Sequence, residues 1–450
     1  MNPIEKRAAI SLAGVFSVRL LGLFMVYPIF ADYARHLPGA SASTIGLALG
    51  IYGLSQGLLQ IPFGLASDRV GRKRMIVLGL ILFAIGSVIA ANAGSIWGMV
   101  LGRVIQGAGA VGSVILALVA DLTSEESRTK AMATVGITIG FSFMVAVVAG
   151  PIFASRLGLS GIFWLMAGLA LVGIAITLFV VPTPPVSGVH HRDAEAVPAL
   201  LGSMLRNPDL LRLDFSIFAL HAILTSSFLV MPTLLDSALG ITTHGQWMVY
   251  LPVFAISVVV MIPAIIVAEK HRKMKQVVVA SVAAMAASQA ALFFDAANAI
   301  ALLAAVTIFF VGFNIMEASL PSLVTKTAPA GAKGTASGIY SSSQFIGIFF
   351  GGLAGGWAHH GYGDTGVFAL STAIGVVWLV VMATMREPRY LSSRLVKVGP
   401  GVAADTLAGR LREVPGVAEA TVVAEEGVAY LKVDSRTYDP AAAEALALSA

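Results

Sequence analysis

Residues 64–75 read GLASDRVGRKRM. One acid and four bases (Asp68, Arg69, Arg72, Lys73 and Arg74) fall within seven positions, and Gly64 and Gly71 bracket the acid. On either side the chain is almost uninterrupted apolar sequence. The full chain has 450 residues, of which 57% are hydrophobic and only 12% charged. Soluble domains carry about 25% charged residues, so this chain has too little polar surface for water and fits a bilayer. The charged stretch is therefore read as a loop between two membrane helices.

Windows of about 20 apolar residues give twelve spans: 9–33, 43–66, 75–93, 97–120, 131–155, 160–181, 211–235, 246–268, 276–294, 299–324, 335–358 and 364–385. The first nine residues, MNPIEKRAA, are mostly polar. The apolar run to about Asp32 is too long for a signal peptide, so the start reads as a cytoplasmic stub before a membrane helix. The longest break, 182–210, is rich in proline and divides the spans six and six. With the N-terminus inside, the inner stub and loops hold Lys6, Arg7, Arg69, Arg72, Lys73, Arg74, Arg128, Lys130, Arg192, Arg206, Arg212, Lys270, Arg272, Lys273, Lys275, Lys326 and Lys333. The outer loops hold only Arg35 and Arg156. Seventeen against two is a positive-inside bias that puts both termini in the cytoplasm. It also accounts for the net charge of +5 without nucleic acid. The absence of cysteine excludes disulfides, thiolate metal sites and cysteine nucleophiles.

The halves repeat. SDRVGRKRM between spans 2 and 3 is echoed by AEKHRKMKQ between spans 8 and 9, and RTKAMATVGI opening span 5 by GAKGTASGIY opening span 11. Parallel repeats of this kind build transporters with the substrate site between the halves. The expected organisation is an N-terminal six-helix bundle over 1–181, a cytoplasmic linker over 182–210, a C-terminal bundle over 211–386 and a soluble domain over 387–450. In that last segment RLVKV (394–398) alternates like a strand, AADTLAGRLREV (403–414) has helical spacing, and 418–434 reads as two strands about a Glu-Gly turn. DPAAAEALAL opens a second helix. The order is βαββα, a ferredoxin-like plan without its last strand.

These residues carry a resemblance to the major facilitator superfamily. Gly64, Asp68, Arg69, Gly71, Arg72 and Lys73 resemble its motif A. RVIQGAG, with Arg103, Gln106 and Gly107, resembles motif B. Gly150-Pro151 resembles the core of the antiporter motif C, with Ala146 and Ala154 where glycine is usual. The likeness covers roughly residues 5–386, and with the tail it is nearest to the YajR-type members of the drug:proton antiporter group. It implies a fold of twelve transmembrane helices in two bundles and a secondary transporter of the inner membrane. Its expected activity is proton-coupled efflux of a small molecule by alternating access. It further implies that Asp68 meets the N-terminus of span 11 and Arg72 reaches Asp121, a cytoplasmic lock between the halves. The tail resembles heavy-metal-associated domains but lacks their cysteine pair, so it is expected to bind no soft metal. A small ligand, self-association or plain stabilisation are its alternatives; otherwise the chain is expected to be a monomer.

Charge inside a bilayer costs several kcal/mol and marks function. Arg103 in span 4 and Arg19 in span 1 are either partners of a proton-accepting group or pins on backbone carbonyls. Glu317 in span 10 is the most deeply placed acid, open to pairing with Arg19 or Arg103. Asp32, at the outer end of span 1 beside Arg35, is either half of a wet interface pair or the second proton candidate, and His221 in span 7 either a hydrogen-bonded packing residue or a third. Asp214 is expected near the interface and solvated. Phe16, Tyr52, Gln56, Gln60, Asn314, Tyr340 and Gln344, with Gln106 and Ser341, are expected either to line a cavity or to tie helices together.

Other classes fit less well. GAKGT (331–335) lacks phosphate-loop spacing, so no ATP-driven pump is read. His190-His191 and His359-His360 lack an acid partner pattern, so no enzyme is read, and no cofactor is implied. A sensor or uniporter that keeps the transporter fold and is regulated through the tail stays as the alternative.

Overall fold

The computed structural model describes residues 1–183, 197–388, 391–399, 403–434 and 436–448, the side chains of 125, 126, 128, 129 and 425 excepted. His190, His191 and Arg192, with the rest of 184–196 in the expected linker, and the side chain of Arg128 lie outside the described residues.

The membrane part begins with α1 (Pro3–Met25), α2 (Phe30–Ala34), α3 (Ala42–Val70), α4 (Arg72–Ala91), α5 (Ile96–Ala108), α6 (Gly112–Asp121) and α7 (Glu125–Ala175). It continues with α8 (Pro198–Met204), α9 (Pro208–Leu239), α10 (Trp247–Lys270), α11 (Met274–Asp295), α12 (Ala299–Thr327) and α13 (Lys333–Ala383). Ten described helical stretches are long and apolar enough to cross a membrane. Two of them run to 51 residues and are each broken by a glycine at positive φ, Gly158 (φ 64°) and Gly363 (φ 64°). An L side chain is strained at that φ. Each long helix is thereby two spans joined by a corner, and the count of twelve stands.

Local detail departs from the apolar windows. The N-terminal stub is helical: α1 starts at Pro3 on a reciprocal cap between Asn2 and Glu5. Glu5 also accepts from the Ser124 amide (2.8 Å) and the Ser127 hydroxyl (2.9 Å), tying the start of span 1 to the start of span 5. Span 1 is interrupted between α1 and α2 and span 4 between α5 and α6. Within the expected linker, α8 packs on α13, the Val197 amide donates to Thr335 Oγ1 (2.8 Å), and span 7 already begins at Pro208.

The halves meet most closely where α3 lies along α13. A Cβ on Gly50 would sit 2.8 Å from the Phe349 carbonyl oxygen, and one on Gly352 would sit 2.8 Å from Gly50 Cα. Gly46 faces Gly352 and Gly356 in the same way, and Gly53 faces Phe345. Backbones in hydrocarbon approach this closely only where side chains are absent. The seam ends near Gly57 and Ser342. Further toward the side that carries the termini, the nearest neighbour of Gly64 is Ser113 of its own half. Contacts on the opposite side join the halves again. Thr243 donates to Asp32 (2.6 Å), the Tyr27 and Thr225 hydroxyls lie 3.5 Å apart, and the Tyr27 and Phe228 rings lie 5.6 Å apart. Phe143 of span 5 packs on Phe254 and Phe313 at the middle.

The tail folds as expected. β1 (Ser392–Lys397), α14 (Ala404–Arg412), β2 (Val417–Val423), β3 (Val428–Val433) and α15 (Pro440–Leu448) form an antiparallel sheet in the order β1-β3-β2. Strand periodicity splits β3 into two faces. Ala429, Leu431 and Val433 face α14 and α15, with Leu407, Leu411, Ala443 and Ala447. Tyr430 turns the other way and packs on Ala330. Lys432 is on that same face and donates to the carbonyls of Lys326 and Thr325 at the end of α12. A cation on the last carbonyls of a helix is favoured by its dipole.

Replacement of Gly352 by valine is expected to force α3 and α13 apart, costing about 1–3 kcal/mol. Because the chain has no cysteine, a single Ala31→Cys in α2 reports opening of the opposite side: its maleimide labelling should rise in Gly352→Val, and an unchanged labelling rate would contradict the seam.

Candidate functional site

The motif A stretch is built on one turn. Gly71, at φ 101° and ψ 135°, ends α3 and starts α4 without a break in the chain's hydrogen bonding, its amide donating to Ser67 O (3.0 Å). Few L residues adopt that φ. The turn swings Arg72 back under α3. Its Nε donates to Asp121 Oδ2 (3.1 Å) at the end of α6, its Nη1 bonds the Ser67 hydroxyl, and the guanidinium pairs with Asp68. Lys73 Nζ and Arg7 Nε donate to the carbonyls of Val181 and Val180 (both 2.9 Å), closing the end of span 6. Arg69 is exposed. Among the described residues the expected reach of Asp68 to span 11 is not formed: α13 starts at Lys333, after Ala332, with no side-chain cap, and the Asp68 carboxylate is engaged by Arg72 of its own half. The Arg72–Asp121 pair is present. With the seam intact on the opposite side, a bond across the terminal side would have to span the divergence of α3 and α13.

Two polar clusters lie deeper, one in each half. In the N-terminal half, Arg19 is 2% exposed and its Nη2 donates to Tyr52 Oη (2.6 Å) and Gln56 Oε1 (2.5 Å). Gln56 Nε2 donates to Gln60 Oε1 (2.9 Å). The Arg103 guanidinium lies over the Tyr52 ring, 4.9 Å from its centroid. Arg103 is fully buried and donates to Gln106 Oε1 (2.7 Å) and to the carbonyls of Leu49 and Ala48 (3.3 and 3.4 Å). Gln106 passes its amide to Ser87 (2.8 Å), and Gly107 gives the room in which α5 crosses the backbone of Tyr52. Arg103 thus takes the arrangement of a pin on carbonyls. Phe16 is half-buried beside Gly112 and Gln60. Gly150, ahead of Pro151 in α7, lies against the backbone of Met25, so the motif C-like pair sits at the contact of spans 1 and 5.

In the C-terminal half, His221 Nε2 lies 3.4 Å from Glu317 Oε1 and 2.8 Å from Gln344 Nε2. His221 Nδ1 is 3.2 Å from the Ile217 carbonyl. Glu317 Oε1 is sealed from solvent and has no hydrogen-bond partner, whereas the Glu317 side chain as a whole is 26% exposed. The Tyr340 hydroxyl is likewise buried without a partner, within electrostatic reach of both Glu317 and Asp214. Asn314 Nδ2 donates to the Phe310 carbonyl of its own helix. Asp214, expected to be solvated, is buried, because α9 is packed over almost its whole length.

Among the described residues no hydrogen bond or ion pair joins the two clusters. Glu317 is paired with His221 and not with Arg19 or Arg103. Asp32 is held at the opposite side by Arg35 (2.8 Å) and Thr243. Glu5 and Asp214 are the acids whose places sequence reading missed. An Asn-Pro-x-Glu start is a cap signal that was open to being read; nothing in the composition around Asp214 marks its burial.

Residues 12–352 match the family described as Major Facilitator Superfamily, and residues 397–447 match the YajR YAM domain. The chain is 46% identical over 437 residues to the inner membrane transport protein YajR of Escherichia coli, covering 97% of this chain and 96% of that one. It is 27% identical to the multidrug resistance protein MdtH of Aeromonas salmonicida, over 77% of this chain and 85% of that one. The crystal structure of the nucleoside transporter NupG superposes with a TM-score of 0.65 at 16% identity, over 84% of this chain and 99% of that one, a likeness of fold.

Asp121→Asn is expected to lower stability by about 1–3 kcal/mol, since it removes one of the two carboxylates that hold a largely buried guanidinium. A double-mutant cycle with Arg72→Gln, read by thermal unfolding in detergent, should give a coupling of about 1 kcal/mol; additive effects would mean that the pair contributes nothing.

Proposed function

Because this chain belongs to the major facilitator superfamily, as a YajR-type membrane transporter, we propose that it exports a small molecule across the inner membrane in exchange for protons. Both termini then lie in the cytoplasm, and motif A acts as the lock of the cytoplasmic side. The reading of export is supported by the likeness to MdtH, whose name is that of a multidrug resistance protein. The geometry that supports it best is the His221–Glu317 contact.

His221 Nδ1 faces a carbonyl oxygen, so it carries hydrogen and donates. In the neutral ring Nε2 is then an acceptor, and the Gln344 amide supplies its donor. Glu317 Oε1, 3.4 Å from that same nitrogen, is a second acceptor with no donor. Two acceptors facing each other in a bilayer repel unless a proton lies on one of them. The carboxyl accepts that proton, or Nε2 does so with the Gln344 amide turned to present its oxygen. The site is therefore complete with one proton more than its ionised form holds. The partial exposure of Glu317 gives that proton a route. Rocking of the halves exposes the site to one side and then the other, and loss of the proton on one side frees the carboxylate to accept from substrate or to pair with a cation of the facing half.

The lock follows the same cycle. With the seam between α3 and α13 opened, the terminal sides approach, Asp68 can leave Arg72 for the uncapped start of α13, and the helix dipole favours it there. Arg72 remains held by Asp121.

Glu317→Gln is expected to abolish accumulation driven by a pH gradient in proteoliposomes while downhill exchange of the same compound stays measurable. Full uphill transport by Glu317→Gln would move the coupling to Asp32 or His221. Retention by all three variants would leave a uniporter or a sensor.

A further inference from the structure

The N-terminal half holds two guanidinium groups, Arg19 and Arg103, buried within its spans, and among the described residues no carboxylate pairs with either. Its acids with described side chains are Glu5, Asp32, Asp68 and Asp121, and each is already engaged at one end of a helix. Arg103 disposes of its charge among carbonyls and Gln106. Arg19 does not. Of its three nitrogens only Nη2 has a partner among the described residues. Nε is buried and unpartnered, whereas Nη1, also without a partner, is not among the sealed atoms.

The polarity of the chain that leaves Arg19 is forced. A guanidinium has donors only, so Gln56 must present its oxygen to Arg19. Its amide nitrogen then points to Gln60, and Gln60 must present its own oxygen in turn (2.9 Å). The Tyr52 hydroxyl accepts from Arg19 and gives its proton to Gln56 Oε1 (3.3 Å). Every side-chain oxygen of the network already accepts at least one hydrogen bond. What remains is Gln60 Nε2 and Arg19 Nη1, both donors, neither sealed and neither partnered among the described residues. Phe16 stands beside Gln60 at the free end, and the space over Gly112 separates them. A network that ends only in donors, and carries a full positive charge in a medium where an unpaired charge costs several kcal/mol, selects for an acceptor with negative charge.

We propose that Arg19 and Gln60 form the anion-recognising part of the substrate site, and that the transported molecule is an organic carboxylate whose apolar body lies against Phe16. This rests on the transporter reading above and adds the substrate class to it. It also gives the two halves distinct tasks: Arg19 holds the anion, while Glu317 and His221 hold the proton.

The test is thermal stabilisation of the purified full-length protein by sodium benzoate, with benzylamine hydrochloride and sodium phosphate at matched ionic strength. Benzoate should raise the melting temperature saturably; benzylamine should not, and phosphate should do so less. Arg19→Gln should raise the half-saturating benzoate concentration about tenfold or more, the loss of one charge-assisted contact. Should that variant fail to fold, Gln60→Glu keeps the arginine and places a carboxylate at the free end. It should raise the melting temperature of the empty protein and remove the benzoate effect. Equal shifts with benzoate and benzylamine, no shift with either, a phosphate effect matching that of benzoate, or a wild-type benzoate response in Gln60→Glu would each overturn the proposal. Binding in detergent needs no gradient. Failure here with intact proton-driven flux would remove the substrate class alone, and benzoate binding without such flux would remove the coupling alone.

Discussion

The contact of two bare helix backbones, α3 against α13, is the constraint around which the rest of the molecule is arranged. Hydrocarbon gives helices no hydrophobic reason to associate, so packing must supply it. Gly46, Gly50, Gly352 and Gly356 let two spans of opposite halves approach backbone to backbone. Close packing of this kind is strong where it exists and absent where side chains return, as they do beyond Gly57. A seam that covers only part of two helices lets one side of the membrane be closed while the other is divergent. Among the described residues Asp68 makes no bond to α13; its carboxylate pairs with Arg72 of its own half.

The polar interior obeys a second rule, that charge in a bilayer must find compensation. The two halves meet it differently. The N-terminal half answers with neutral oxygens from Tyr52, Gln56, Gln106 and backbone carbonyls, and is left with donors to spare. The C-terminal half places a carboxyl, an imidazole and a phenol together, and is left with acceptors to spare at Glu317. Neither half is complete by itself. A substrate site between the halves of a repeated fold is where a surplus of donors and a surplus of acceptors come to face each other.

Much of this was legible in the chain. Apolar windows located every span, and the Lys/Arg distribution gave the topology expected for it. Alternation in 418–434 and the Leu407–Leu411 spacing gave the tail its βαββα order. Arg72 with Asp121, and Gln56 with Gln60, were open to naming from motif position and i,i+4 spacing. What was hidden depends on partners distant in sequence. Composition does not tell where a helix yields between Met25 and Phe30 or at Gly109, since both breaks lie within apolar runs. Nor does it tell that α9 is covered along its length, which buries Asp214, or that His221 rather than an arginine stands beside Glu317. Glu5 looked like part of a solvated stub because its partners, Ser124 and Ser127, come from another span.

The claim that one side closes as the other opens, with Asp68 deciding the balance, is tested most directly by a distance distribution. Spin labels at Arg69→Cys and Gln276→Cys, at the end of α3 and the start of α11 on the terminal side, measure the separation of the halves there. The account predicts a long and a short population, with the short one depleted by Asp68→Asn and restored to dominance by Gly352→Val. A single distance that ignores both substitutions would contradict it.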